Sequence, residues 1–317
     1  MKEIKIVSLF SGVGGLDYGF HKYPQAKFVF ANDINEFACY TYHSYFGFKP
    51  MCADIEHVDI NMIPECDLVI AGSPNNGFSV ENQINNSVNH PSNKLVAKFV
   101  EIVKIKNPNV FIFENVPEIM TVGGGKYARF ITESLSDYHI EIYEVNALNY
   151  SVPQKRTSVL FVGSKIGRIE RPVQDTVTYT VRDAFEGIHS GIPNQSDVNP
   201  HRKITLERMS YVPAGGNIND IPEELRPKGN HSDRYRRLEY DKPSITIANP
   251  RKAVILHPLH DRILTVRECA RIQSFPDDFL FYGSLDERQQ FVANAFPPRL
   301  SVKIADVVMK AFNEKLD

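Results

Sequence analysis

Cysteine is scarce in this sequence, and long hydrophobic runs are missing. The 317-residue chain holds four cysteines, at positions 39, 52, 66 and 269, none of them in a CxxC pair. That excludes a disulfide framework and gives no zinc site, and it fits a reducing cytosol in which each thiol is either buried filler or a chemical group. No apolar stretch approaches the roughly 20 residues that a membrane span requires. The amino terminus, MKEIKIVSLF, runs straight into a strand pattern, without a basic segment or a small-residue cleavage site. The expectation is a cytoplasmic protein with no membrane partner and no metal. A large excess of one charge is also missing: the formal net charge is −2, which argues against a uniformly basic nucleic-acid coat. Internal repeats and low-complexity tracts are absent as well. With 42% hydrophobic and 23% charged residues, 20 Phe and 14 Tyr, the composition rules out a disordered, collagen-like or coiled-coil chain. The length predicts one large α/β domain or two unequal ones.

The near-neutral total hides an asymmetry. Between residues 201 and 260 there are eleven Lys and Arg against seven acids, so this stretch is basic and the remainder acidic. Charge alone reads equally well as a solvated surface of mixed sign.

Over the first 165 residues, short apolar runs alternate with helical patterns. IKIVSLF, KFVFAND, CDLVIAGSP and NVFIFENV read as strands, separated by LDYGFHKY, INEFACYTYHSYF and NKLVAKFVEIVKI as helices. After the helical ARFITESLSD come IEIYEVNAL and SVLFVGSK. Strands spaced by helices of this length are βαβ units, which predict a doubly wound, largely parallel sheet with ligands at the carboxyl ends of its strands. From about residue 170 the chain turns rich in Pro, Asn, Asp and Gly, with a short strand-like piece in SITIAN, and reads as a smaller lobe. Residues 265–317 return to helix, in TVRECARIQSF and RLSVKIADVVMKAFNEKL.

The first strand ends in Phe10, Ser11, Gly12, Val13, Gly14, Gly15 and Leu16, ahead of a helix. Glycines at such a turn let backbone amides approach a nucleotide or its analogue. The dinucleotide fingerprint GxGxxG fails, because Asp17 stands in place of the third Gly. The second strand ends at Asp33 and Ile34, where a carboxylate can take ribose hydroxyls. Asp54 and Ile55 follow, placed to meet an adenine amino group. Each acid alone reads as a helix cap or surface residue; the three in this order read as an S-adenosylmethionine site.

With the later motifs, the chain resembles the DNA (cytosine-5) methyltransferases over nearly its whole length. FSGVGGLDYGF is similar to the family's first motif, AGSPNNGFS occupies the place of its Pro-Cys-Gln catalytic loop, and FENV matches its Glu-Asn-Val motif. Gln154, Lys155 and Arg156 stand for its Gln-x-Arg-x-Arg motif, with Ser158 in place of the second Arg. RILTVRECARIQSFPDDF, with Arg262, Thr265, Arg267 and Glu268, is close to the ninth motif, and ANAFPP to the Gly-Asn-x-x-Pro-Pro of the last, with Ala293 for Gly. The resemblance implies a Rossmann-like, S-adenosylmethionine-dependent domain from residues 1–165 and 262–317, and a target recognition domain from residues 166–261. It implies that Pro74 and Asn294 join the cofactor site and that Ser79, Arg202, Arg208, Lys228, Arg234, Arg236 and Arg237 meet double-stranded DNA. A monomer with a separately encoded restriction endonuclease as partner follows from the same likeness.

Carbon 5 of cytosine is a poor nucleophile. In the family, a thiolate adds to carbon 6 while an acid engages ring nitrogen 3, and the resulting enamine attacks a sulfonium methyl group. The resemblance gives the acid as Glu114, beside Asn115, with Gln154 and Arg156 holding the base and offsetting charge. The cytosine must leave the duplex, because a stacked pair hides both carbons. The polar segment 77–93 has the composition of a loop that closes over an extruded base.

At the nucleophile position, however, the sequence reads Pro74-Asn75-Asn76. A neutral amide cannot add to a pyrimidine, and no other cysteine lies near enough in sequence to replace the missing thiol. Three readings follow: a modification methyltransferase in a nucleophile-replaced form, a pseudoenzyme that binds DNA and cofactor, and a tRNA cytosine methyltransferase. The intact Glu114, Asn115, Gln154 and Arg156 favour the first.

Overall fold

The computed structural model describes residues 2–72, 92–227 and 234–316. The chain divides into two compact units: Met1–Asn146, Thr157–Gln174 and Pro298–Asp317 make the first, and Ala147–Arg156 with Asp175–Pro297 the second.

The first unit is built on a seven-stranded sheet. Its strands are β1 (Ile4–Leu9), β2 (Ala26–Asp33), β3 (Met51–Cys52), β4 (Leu68–Gly72), β5 (Val110–Asn115), β6 (His139–Asn146) and β7 (Thr157–Ser164), in the order β3-β2-β1-β4-β5-β7-β6. β1 pairs in parallel with β2 and β4, β2 with β3, and β4 with β5. β7 runs antiparallel to both β5 and β6. This is the doubly wound α/β fold that the alternation of apolar runs predicted. VFIFEN of β5 is buried at every position, as a central strand covered on both faces must be. Strand order reverses between β1 and β4, which opens a crevice at their carboxyl ends.

Helices α1 (Asp17–His21), α2 (Glu36–Phe46), α3 (Ser92–Lys106) and α4 (Lys126–Ser134) belong to this unit. α2 starts where the Asn35 side chain accepts the amides of Phe37 and Ala38, and it stops at Gly47 in the left-handed conformation. One face of the sheet packs Phe99, Phe111, Phe113 and Phe161 into the core.

The second unit is held largely by loops around α5 (Val181–Phe185), α6 (Lys203–Ser210), α7 (Pro250–Ala253), α8 (Val266–Ile272) and α9 (Leu285–Asn294). Met209, Val212, Ile218, Tyr235, Leu256 and Ile263 form one of its cores. The expected strand in SITIAN is not present: Ser244 makes an isolated bridge to Gln154, and the run continues without a ladder. Its apolar alternation reflects the burial of Ile247, which needs no neighbouring strand. The chain then rejoins the first unit as α10 (Pro298–Leu316), where Ser301 Oγ accepts the Gly19 amide at 2.8 Å and donates to the Leu16 carbonyl. Among the described residues, no helix is long and apolar enough to cross a membrane.

Candidate functional site

The turn after β1 is tied directly to the end of β2. Ser11 donates its amide and hydroxyl to the Asn32 carbonyl, at 2.9 and 3.1 Å. Asp33 Oδ2 accepts the Gly12 amide at 2.8 Å and Oδ1 accepts the Asn35 amide at 2.9 Å. One carboxylate thus fixes both the turn and the entry to α2. Burial pushes the Asp33 carboxyl up, against the pull of the Asn35, Gly12 and Ile34 amides. Phe10 takes a φ of +52°, an unusual conformation for a residue with a side chain and one that collects at functional sites.

The glycines divide their work. Gly12, with φ of +53°, has open space where a Cβ would stand, as expected of a residue facing a ligand. Gly14, with φ of +87°, is buried, and a Cβ there would lie 2.2 Å from the Phe46 ring, so its bareness admits α2 rather than a ligand. Gly15 and Leu16 are buried beside it.

Asp17 is the residue that the sequence reading passed over, noted only as a mismatch to GxGxxG. It is 1% exposed, and burial pushes its carboxyl up to about 7 against the pull of the Ser8 and Tyr42 hydroxyls. The sequence shows only an acid after a glycine turn; its burial is set by segments distant in sequence.

Ile34, next to Asp33, is 70% exposed, an apolar surface placed where a ligand would cover it. Asp54 caps the short 3-10 turn Ile55–His57, its Oδ1 accepting the Glu56 amide at 3.0 Å. Ile55 is buried in the core, so only its backbone can face a ligand. An open glycine, a carboxylate at the end of β2, an uncovered isoleucine and a second acid at the end of β3 fit an adenosyl group in their chemistry.

Glu114 stands at the carboxyl end of β5, 6% exposed, in register with Gly72 of β4. A Cβ at Gly72 would lie 3.8 Å from Glu114 Oε2, an ordinary contact, so the carboxyl does not require glycine there. Asn115 is fully buried; its Oδ1 accepts the Val116 amide at 2.9 Å, and its Nδ2 has no partner among the described residues. Pro74, Asn75 and Ser79, which continue the chain from β4, lie outside the described residues, as does Lys228.

Gln154, Arg156 and Asn294 belong to the second unit. The fully buried Gln154 donates to Gln273 Oε1 at 2.7 Å and accepts the Ile247 amide at 2.5 Å. Gln273 in turn donates to the Val292 carbonyl at 2.9 Å. Both polar ends of Gln154 are therefore engaged inside the unit, and Gln273, missed in the sequence, carries the tie onward to α9. Arg156 Nη1 and Nη2 reach the carbonyls of Ala293 and Asn294 at 2.9 and 3.4 Å.

The ninth motif is structural in what it touches. Arg262 grips Glu268 with two nitrogens at 2.7 Å each, and Thr265 caps α8 in a reciprocal box with Glu268. Burial would raise the Glu268 carboxyl, but the Arg262 fork holds it below its ordinary value. Arg267 donates to the carbonyls of Pro193, Pro276 and Phe279.

The basic candidates separate by burial. Arg237 is 6% exposed and donates to the carbonyls of Val212, Met209, His257 and His260 and to Asp261. Its expected place on a DNA-facing surface is corrected: the guanidinium is a strut of the lobe. Arg208 Nε donates to the Leu225 carbonyl at 2.6 Å, and Arg234 and Arg236 are half-buried. Arg202 is exposed at the start of α6.

None of the four thiols is engaged in a disulfide. Burial pushes Cys39 and Cys66 up to about 12 and holds Cys269 well above its ordinary range, so these three are protonated at neutral pH.

The chain is similar to known proteins over nearly its whole length. The profile described as C-5 cytosine-specific DNA methylase matches residues 4–310. The type II methyltransferase M1.HphI of Haemophilus parahaemolyticus is 37% identical over 327 residues, covering 97% of this chain and 87% of its own. M.NgoFVII of Neisseria gonorrhoeae, also a type II methyltransferase, is 34% identical over 332 residues, covering 99% and 88%. In fold, the chain is similar to a solved E. coli protein described as a prophage-encoded DNA modification methyltransferase, with a TM-score of 0.79 at 22% identity over 98% of this chain and all of that one. Matching nearly end to end, with the glycine turn, Glu114 and Arg156 in sequence order, the chain belongs to the C-5 cytosine-specific DNA methylase family.

Proposed function

We propose that this chain binds S-adenosylmethionine and a specific duplex DNA sequence and receives a flipped cytosine, in a form whose nucleophile position is taken by Asn75. The family is one of S-adenosylmethionine-dependent DNA cytosine-5 methyltransferases. The observation that carries the reading for this chain is Glu114, buried at the end of β5 beside β4, the strand that leads into Pro74 and Asn75.

Each residue has a part. The turn from Phe10 to Leu16 supplies backbone to the cofactor's amino-acid end, with Pro74 and Asn294 as further contacts. Asp33 takes the ribose hydroxyls, Ile34 covers the adenine, and Asp54 with the Ile55 backbone meets its amino edge. S-adenosylmethionine supplies an electrophilic methyl group. Glu114 engages ring nitrogen 3 and the exocyclic amine of the cytosine, Asn115 and Gln154 keep the surrounding backbone in place, and Arg156 offsets developing charge. The neutral Asn75 amide, its nitrogen lone pair delocalised into the carbonyl, is too weak a nucleophile to add to carbon 6, so the chain as written binds without transferring.

Residues 166–261 would recognise the target, with Ser79, Arg202, Arg208, Lys228, Arg234 and Arg236 meeting DNA; residues 1–165 and 262–317 would carry cofactor and catalysis. The two relatives are named as type II methyltransferases, which supports a restriction-modification role in the cytoplasm with a separately encoded endonuclease. The test is methyl transfer from labelled cofactor to mixed-sequence genomic DNA, by the chain as written and by Asn75→Cys in parallel. Transfer by Asn75→Cys alone supports the reading. Cofactor and DNA binding without transfer by either favours a pseudoenzyme, and transfer only to tRNA favours the RNA substrate.

A further inference from the structure

Beneath the proposed cofactor turn lies a buried carboxyl group, that of Asp17. Asp17 opens α1 immediately after Leu16, and its side chain points into a space bounded by Ser8 of β1 and Tyr42 of α2. It is 1% exposed, Tyr42 is fully buried, and neither Asp17 Oδ2 nor Tyr42 Oη has a partner of good hydrogen-bond geometry among the described residues. Tyr42 and Phe46, whose ring centroids are 4.4 Å apart, form the floor on which Gly14 rests. We infer that Asp17 is a positioning residue for the cofactor turn, acting through Tyr42 and Phe46 on Gly14 and not by contact with the cofactor.

This inference rests on the proposed cofactor site at the same turn. Its physical basis is the cost of a charge in that space. A neutral carboxyl tolerates one unsatisfied oxygen in a dry enclosure, whereas a carboxylate requires water or more donors than the Ser8 and Tyr42 hydroxyls beside it. The closed floor therefore belongs to the protonated acid. Ionisation favours admitting water, which means parting the Tyr42 and Phe46 rings from Gly14 and loosening the turn. With the group titrating at about 7, the change falls at neutral pH.

Few titratable groups face Asp17. β1 contributes the hydroxyl of Ser8, and α2 contributes Tyr42, itself held well above the ordinary phenol range by burial and by Asp17. α10 meets α1 through Ser301 at Gly19. His21, at the far end of α1, stands 5.1 Å from the Phe46 ring, and burial lowers its pKa.

The test is cofactor affinity by calorimetry from about pH 5.5 to about pH 8.5, for the chain as written, Asp17→Asn and His21→Gln; a coupling of one pKa unit corresponds to about tenfold. The near-isosteric amide mimics the protonated acid. Asp17→Asn should match the unaltered chain at low pH and bind more tightly above neutrality, by about tenfold at the upper end. Titration of the cofactor's own groups is common to both proteins and cancels in their ratio. His21→Gln should leave the pH dependence in place. An affinity ratio that stays constant across the range overturns the inference, as does weaker binding by Asp17→Asn at every pH. A second readout needs no cofactor: the melting temperature of the unaltered chain should fall relative to Asp17→Asn as pH rises from the ordinary carboxyl value of 3.8 to about 7 and level off above it, and curves that stay parallel below 7 count against the inference. If neither protein binds cofactor while the melting curves still diverge, the cofactor reading has failed and not the titration of Asp17.

Discussion

Arg156 Nη1 donates to the Ala293 carbonyl oxygen at 2.9 Å, joining two segments 137 residues apart in sequence. A group expected to steady a substrate is thus also a clamp on the end of α9. Arg156→Lys keeps the charge but loses the planar fork, leaving a buried carbonyl unpaired at a cost of about 1–3 kcal/mol. The variant should melt several degrees lower in thermal denaturation while retaining cofactor affinity. An unchanged melting temperature would mean that the clamp contributes nothing.

Two arginines of the basic stretch should behave in opposite ways. Arg237→Ala removes a strut with four carbonyl partners and an ion pair, and should destabilise the protein by about 3–5 kcal/mol, as breaking a buried charged network does. Arg202→Ala, on the exposed end of α6, should leave the melting temperature within experimental scatter. If Arg202 meets a phosphate, its loss lowers the slope of log affinity against log salt by about one unit. Titrations of duplex DNA at several salt concentrations measure this, and an unchanged slope removes Arg202 from the interface.

That difference between two arginines also marks what the sequence disclosed. β1, β4 and β5 were legible because continuous Val, Ile and Phe runs suit strands buried on both faces, and β2, buried only at Phe30, Ala31 and Asn32, through its Phe-Val-Phe run. The direction of β7 was not, since it depends on which neighbours pair rather than on its own residues. β3, at two residues, carries too little pattern to detect. Asp33 and Glu114 were legible because they end recognisable strands. Arg237, Gln273 and Asp17 were not, because burial of a polar side chain is decided by segments distant in sequence.

Asp33 should prove more than a ribose ligand. Its carboxylate holds the Gly12 and Asn35 amides, so Asp33→Ala removes a cofactor contact and frees the turn together. Charge-assisted bonds of this kind contribute about 1.5–3 kcal/mol each, so affinity for S-adenosylmethionine should fall at least about tenfold. Calorimetry showing no loss would exclude Asp33 from the site.

Acid should weaken the second unit through His257. Burial between the Phe185 and His260 rings lowers its pKa to about 4, against the pull of Glu268, and its Nδ1 accepts the Leu259 amide at 3.1 Å, which requires the neutral form. The folded state thus binds fewer protons than the unfolded one between pH 4 and the ordinary 6.5. Stability from this group is complete above 6.5 and declines as pH falls towards 4. His257→Gln should flatten that part of the stability profile. Equal slopes for the two proteins across the window would show that the imidazole does not titrate there.

Position 75 separates binding from chemistry. Glu114 and Arg156 are present, but position 75 carries a neutral amide in place of a thiol, and burial keeps Cys39, Cys66 and Cys269 protonated. The chain as written should therefore bind cofactor and duplex DNA, yet give no covalent adduct with DNA carrying 5-fluorocytosine, because the adduct requires the thiolate. Asn75→Cys should give both the adduct, seen as a denaturation-resistant band, and methyl transfer. Binding without an adduct in Asn75→Cys would point to further lesions, with Ser158 and Ala293, where the family carries Arg and Gly, as the first positions to restore. Adduct formation by the unaltered chain would overturn the assignment of position 75, and replacing each of the four cysteines by Ser would then identify the thiol responsible.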